Sequence, residues 1–583
     1  MAKSKETIRS MIKAAMFQER CDVIIRNARI VDVCNHQIIT GKSILIRKGH
    51  IAGFAGNDYL NGDLIIDAQG QFAMPGFINA HVHIESSHLS ADQFAKAVIP
   101  FGTTTVIADP HEICNVCGLD GLDYLYEATA KTPLSVFFMI PSCVPATPFE
   151  HAGATIKAED IETRMGLERV LGLGELMDYP GTINADGEIL RKIEVAEKHG
   201  KVIDGHSPLL KDNQLDAYIA SGAFTDHECA TPEELRERTS KGMYVLLRQG
   251  SACHDTATLS RGVDDFNSRF CLFCTDDRQP NSIFEEGDIN NNIKIAIENG
   301  INPITAIQIA SLNAATAHNL RDRGSITPGK RADIVLSKSI SNRVPSCVLI
   351  KGEVVAKEGE YLPDTSPYES EKVTGKVNIG DFSRNDISLK LSSNTVHVIK
   401  VNPGSVVTDN VVETVATDDE GNFVYSPNKD IVKIAVIERH KGTGNVGVGL
   451  IEGYGLRHGA VALSIAHDSH NFIVVGQNDD DMFAAVKELE RIHGGIALVK
   501  DGKMIKSLPH EIAGLMTAKK NLIELSAELE DVNNTAVSEL GVSKDIDPIM
   551  TLCFMALPVI PALKITDNGL FDVIKFKLIS IEA

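Results

Sequence analysis

A chain of 583 residues is too long for one ordinary domain. Its 43% hydrophobic and 23% charged residues are the balance of a folded protein, not a disordered one. A formal net charge of −21 argues against a nucleic-acid backbone or an anionic membrane as partner, since both demand clustered Lys and Arg, and leaves a neutral or cationic small molecule compatible. Residues 1–20 are polar and mixed in charge, without the apolar core of a secretion signal, and no segment is apolar for long enough to span a bilayer. Eleven scattered cysteines read as reduced thiols, so the expected location is the cytoplasm.

Residues 21–72 read as short strands punctuated by Asn27, Gly41, Gly49 and Gly56. From residue 73 the pattern changes to apolar strands separated by helical stretches, which implies parallel pairing. Eight strands are expected at 73–83, 103–109, 135–140, 170–176, 201–206, 223–227, 243–248 and 269–276. Eight such units over about 200 residues predict an α/β fold, a (β/α)8 barrel. A doubly wound sheet would show a glycine-rich phosphate turn after its first strand, and none is present. A helix is expected over 304–320, after which the strand at 334–336 returns the chain to a small β domain in which the barrel is inserted. The expected division is 1–72 and 321–365 for that β domain, 73–320 for the barrel, a polar linker over 365–385, and a third α+β region over 386–583. That region has strands at 396–401, 431–437 and 472–475 and helices at 480–492 and 510–530.

Polar residues at the strand ends carry the chemistry. His81 and His83, two apart, project from one face at the end of strand one. Strand four ends in Glu175, five in His206, six in His227 and eight in Asp276. In barrel enzymes the carboxyl ends of the strands face the active site. Four imidazoles and two carboxylates converging there supply ligands for two divalent ions, a mixed N/O set suited to Zn, Fe or Mn rather than Ca or Mg. Glu85, Asp109, His111 and Glu112, close to the ends of strands one and two, are candidates for holding a substrate. Capping of the following helices is the competing role for each.

His81-x-His83, His206, His227, Asp276 and Pro328-Gly329-Lys330-Arg331-Ala332-Asp333 resemble the amidohydrolase superfamily. Many binuclear members bridge their ions with a carboxylated lysine on strand four, where this chain has Glu175. Longer stretches resemble the bacterial adenine deaminase family: residues 79–87, 108–113, 205–208, 225–228, 274–278 and, in the third region, 467–471. The resemblance spans nearly the whole chain. It implies two divalent metal ions, manganese or iron ahead of zinc, with Glu175 as bridge, and a metal-bridged hydroxide attacking C6 of adenine. Asp276 would carry the proton towards the leaving amine, with Asp277 as fallback. His227 would either bind metal or polarise the attacked centre. A homo-oligomer, dimer or larger, is the superfamily expectation. Competing readings are a cyclic-amide hydrolase of the dihydroorotase or hydantoinase type, which Glu175 in place of lysine counts against, and a non-catalytic scaffold, against which stand six filled ligand positions.

Three further motifs are set aside. His83-Ile84-Glu85 with Cys114-x-x-Cys117 imitates the zinc cytidine-type deaminase pattern, but Ile113 stands where proline is required. Cys271 and Cys274 point to opposite faces of a strand and are expected to be core thiols. Residues 441–444 lack phosphate-loop spacing and read as a turn. Glu452, His458, His467, Asp468 and His470 are expected to form a polar turn or domain contact rather than a metal site or a lid.

Overall fold

The apolar runs of the middle region fold as eight parallel strands, closed into a barrel in the computed structural model, which describes residues 3–583. The strands are Phe77–His83, Thr103–Ala108, Ser135–Ile140, Val170–Leu173, Val202–Ile203, Thr225–Asp226, Tyr244–Arg248 and Cys271–Cys274. Strands one to five form one parallel ladder and six to eight another. A bridge between Ile203 and Ala223 joins the two on one side. On the other, Asp276–Asp277 continues strand eight and pairs with Val82 and His83. Ile78, Ala80, Ile107, Met139, Leu246, Leu272 and Cys274 form one apolar cluster, whereas Phe77, Val245, Leu247, Cys271 and Phe273 face the surrounding helices. Cys271 and Cys274 thus lie on opposite sides of their strand, as three-residue spacing requires.

The expected strand at 73–83 is two strands in two sheets. Phe72–Pro75 pairs antiparallel with Ile334–Ser337 and parallel with Arg29–Asp32. The chain changes sheets at Gly76, where a Cβ would strike the Thr104 side chain. Strands from before and after the barrel therefore share one seven-stranded sheet, beside a four-stranded sheet built from residues 21–67. Over 304–320 the helix is interrupted: Pro303–Gln308 and Ala314–Ala317 are α-helical, with a π-helical turn at Ile309–Asn313 between them.

The third region is an eight-stranded sheet whose inner strands are buried on both faces. In Ile431–Ile437, Val432, Ile434 and Val436 pack towards the Leu522–Leu540 helix and the barrel, while Ala435 and Ile437 pack towards the Asp479–Ile492 helix. One continuous apolar cluster runs from the barrel into this region. Residues 365–385, expected as a linker, are instead strapped down. Val373, Ile379 and Phe382 are buried, Thr374 bridges Ile512, and Lys372 pairs with Asp120 at 2.8 Å. Three spaced apolar anchors outweigh the polar composition. The helix expected at 510–530 begins only at Leu522. Positive φ at Ala513 and Gly514 breaks any helical path, and Asn521 with Glu524 forms a capping box at the true start. Among the described residues, no helix is long and apolar enough to cross a membrane.

Candidate active site

The strand-one histidines reach the barrel axis through an irregularity. The register against strand two shifts between Asn79 and Val82, so His81 and His83 turn inward and Val82 joins the outer core. Each imidazole is fixed by its Nδ1. His81 donates to Asp204 Oδ2 at 3.1 Å and His83 to the Asp109 carbonyl at 2.8 Å. In these tautomers both Nε2 atoms carry lone pairs, yet they lie 3.2 Å apart and each is 3.2 Å from Glu175 Oε1. Asp276 Oδ1 is 3.1 Å from His83 Nε2 and 3.6 Å from His81 Nε2. The second oxygen of Glu175 faces another pair, His206 Nδ1 at 3.1 Å and His227 Nε2 at 3.5 Å.

Acceptors facing acceptors in a buried site need a cation between them. Atoms ligating one ion at about 2.0–2.2 Å stand about 3 Å apart, which is the spacing here. Glu175 Oε1 has no hydrogen-bond donor of its own. The six residues therefore fit divalent cations, in two groups of donors that share Glu175.

Local structure explains the placement. Glu175 follows Gly174, where a Cβ would strike the Asp109 carboxylate, and Asp109 Oδ2 accepts the Glu175 N–H at 3.0 Å. The His206 N–H donates to Tyr218 Oη at 2.8 Å, and that hydroxyl donates to the Leu176 carbonyl at 3.0 Å. Asp276 has φ +58, a left-handed turn just beyond strand eight. Asp277 instead accepts from Ser86 Oγ at 2.5 Å.

Two of the candidate substrate-binding residues do not reach the cavity. Strand one ends at His83, so Glu85 lies in a short 3-10 turn, where its Oε1 accepts the Ile113 N–H at 3.0 Å at the start of the next helix. Asp109 gives Oδ2 to the Glu175 N–H. Each of the two thus serves a backbone N–H with one oxygen and keeps the other, Glu85 Oε2 and Asp109 Oδ1, buried without a hydrogen-bond partner. His111 and Glu112 do line the cavity, with His111 Nδ1 3.4 Å from Glu175 Oε1 and its Nε2 3.4 Å from Glu112 Oε1. Glu112 is gripped from the third region: His467 Nδ1 donates to Oε1 at 2.6 Å and His470 Nε2 contacts Oε2. Glu452 lies elsewhere, 3.8 Å from Lys400.

Several site residues escaped sequence reasoning. Arg248, the last residue of strand seven, donates from Nη1 to Asp276 Oδ2 at 2.9 Å and to Glu228 Oε1 at 2.5 Å. Glu228 Oε1 is 3.4 Å from His227 Nε2. The strand-end rule that singled out Asp276 applies equally to Arg248, and Glu228 directly follows His227 in one of the stretches that resemble the family. Asp468, expected with His467 and His470 in a polar turn or domain contact, lines the cavity from the third region. Burial pushes its carboxyl up to about 7, with the charges of Glu112 and Glu175 adding to the rise and those of His111 and His467 opposing it.

A cavity of about 730 Å³ lies over this cluster, walled on one side by the barrel and on the other by residues 404–407, 467–468 and 554–561. Phe554, Leu557 and Ile560 supply apolar surface opposite the polar floor, the usual make-up of a small-molecule site.

Comparison with known proteins agrees with this architecture. Residues 72–355 match the amidohydrolase family and residues 405–577 the adenine deaminase C-terminal domain. "Adenine deaminase 2" of Desulfotalea psychrophila is 49% identical over 580 residues, covering 100% of both chains. The adenine deaminase of Nitratidesulfovibrio vulgaris is 46% identical over 98% of this chain and 99% of its own. That of Ligilactobacillus salivarius is 45% identical over 99% of each. An inward-facing set of imidazoles and carboxylates in a barrel, covered by a C-terminal domain of this kind, goes with full-length likeness to these proteins, and the chain belongs to the adenine deaminase family of amidohydrolases.

Proposed function

We propose that this protein hydrolyses adenine to hypoxanthine and ammonia, in purine salvage or adenine catabolism, with two divalent ions held by His81, His83, Glu175, His206, His227 and Asp276. One observation carries the reading: Glu175 turns each of its oxygens to a separate pair of imidazoles beneath a cavity of about 730 Å³, ample for a purine base. When bound, such ions supply Lewis-acid polarisation and acidify water at neutral pH. The donor set is imidazole and carboxylate with no thiolate, which suits manganese, iron or zinc, and the resemblance to the family puts manganese or iron first.

The chain's own groups account for the proton traffic. Asp276 Oδ2 is tied to Arg248, so Oδ1 is the atom that takes a proton from the attacking water and passes it to the departing nitrogen. A C6–O bond forms, the C6–N bond breaks, and ammonia leaves. His227, whose Nε2 lies between Glu175 and Glu228, serves either as ligand or, in place of that, as polariser of the attacked centre. His111 stands beside Glu175 where it meets the purine ring. The barrel, residues 73–320, carries the reaction, and residues 386–583 roof it. The eleven free cysteines support a cytoplasmic setting.

The test is hypoxanthine and ammonia formation from adenine by protein stripped of metal and reloaded with manganese or iron. Metal-dependent turnover is the expected result. Protein that takes up two ions and leaves adenine intact would overturn the substrate assignment.

A further inference from the structure

A purine base with an amino group at C6 displays two kinds of N–H donor. The exocyclic amino group has to face the metal-binding acceptors to be removed. The other donor is the single N–H of the imidazole ring, and a site for the free base must receive it with an acceptor.

Most carboxylates around the cavity are already engaged. Glu228, Asp255 and Asp276 are held by Arg248, Asp277 by Ser86, Glu112 by His467 and His470, and Glu234 by the N–H and hydroxyl of Thr231. Asp468 differs. It lines the cavity, is 2% exposed, and its Oδ2 has no hydrogen-bond partner. A buried carboxylate oxygen without a donor is costly, and the cost is relieved when a ligand supplies one.

The loop carrying Asp468 is built to hold it there. The His467 N–H donates to the Cys553 carbonyl at 3.0 Å and the His470 N–H to the Ala466 carbonyl at 2.8 Å. The side chains of His467 and His470 grip Glu112 on the barrel, and the Arg439 guanidinium donates to the His470 carbonyl. Fastened on both sides, the loop holds Asp468 against the cavity.

Building on the deaminase reading, we propose that Asp468 accepts the imidazole-ring N–H of the bound purine and thereby restricts the site to the free base. A base substituted at N9, as in a nucleoside, has no ring N–H to offer and leaves Oδ2 unpaired.

The experiment compares kcat and KM for adenine and 9-methyladenine in the metal-replete wild type, Asp468→Ala and Asp468→Asn. The wild type is expected to favour adenine by about 10- to 100-fold in kcat/KM, the range for a hydrogen bond to a charged group. Asp468→Ala should lose a similar factor on adenine, chiefly through KM, while 9-methyladenine is little affected and the preference shrinks towards one. Asp468→Asn, which keeps a carbonyl acceptor, should recover part of the loss. An unchanged preference in folded variants overturns the assignment. So does a wild type that takes 9-methyladenine as readily as adenine, a result that needs no variant to fold. Wild type that holds its metal and is inactive on both bases instead overturns the deaminase reading on which the assignment rests.

Discussion

Two buried clusters in this protein contain the residue types of a metal site, and their spacing separates them. At the strand ends of the barrel, the facing atoms of His81, His83, Glu175, His206, His227 and Asp276 stand 3.1 to 3.6 Å apart. The Nδ1 atoms of His81 and His83 are spent on other partners, so acceptors confront acceptors. Where the third region meets the barrel, Glu112 lies 2.6 Å from His467 Nδ1 and closer still to His470 Nε2. That is hydrogen-bond distance, too short for two atoms sharing an ion at about 2.0–2.2 Å each. One cluster needs a cation to be satisfied. In the other, protons on His467 and His470 already meet both oxygens of Glu112, and the contact fastens two regions of the chain together.

Glu175→Gln is the strongest probe of that contrast. An amide cannot serve both donor groups as a carboxylate does. Activity on adenine is expected to fall on the order of 10³-fold or more, and metal analysis should find fewer ions per chain. A variant with full metal content and wild-type turnover would remove Glu175 from the centre.

Asp204→Asn is milder. It leaves every ligand in place but weakens the acceptor that fixes the His81 tautomer. Such partners are worth about 10- to 100-fold in metal affinity or activity. Competition with a chelator, read beside turnover, should show the loss in affinity. An unchanged chelator midpoint would mean that Asp204 does not orient His81.

Glu112→Gln tests the second cluster. Replacing one oxygen by an amino group sacrifices one of two buried hydrogen bonds, at a cost of about 1–3 kcal/mol. The thermal midpoint should fall while the number of bound ions stays the same. Loss of one ion per chain would break the comparison and make this cluster a metal site as well.

How much of this was legible in the sequence depended on the range of the cause. Apolar strands and their terminal His, Glu and Asp residues were visible because period and strand-end position are local properties. The break at Gly76 was not, because two successive strands join different sheets and only the partner strand at 334–337 reveals it. Glu85 and Asp109 lie among the strand-end residues, yet they serve backbone N–H groups whose positions the sequence does not give. The strap over 365–385 was hidden because its three apolar anchors matter only through the surfaces they meet. Asp468 shares a cavity with residues almost 400 positions earlier, such as His83, a distance over which no pattern in the chain speaks.

The smallest expected effect is one of pH, and it distinguishes a proton-filled clamp from a metal site. In the folded protein burial disfavours charge on His467, but Glu112 and Asp277 overcome this and raise its pKa to about 9. His470 is driven the other way by burial, down to about 4. The folded clamp is thus a carboxylate between one cationic and one neutral imidazole. An unfolded histidine releases its proton near pH 6.5. Between that value and about 9 the folded state holds a proton on His467 that the unfolded state has lost, so this contribution is full below 6.5 and fades as pH rises. The fade should approach about 1 kcal/mol per pH unit above neutrality. In His467→Gln it should vanish, flattening the stability profile between pH 7 and 9 relative to wild type, as read from denaturant midpoints of the metal-loaded protein. Were an ion present in the clamp, His467 would be unprotonated throughout this range, and the two profiles would run parallel.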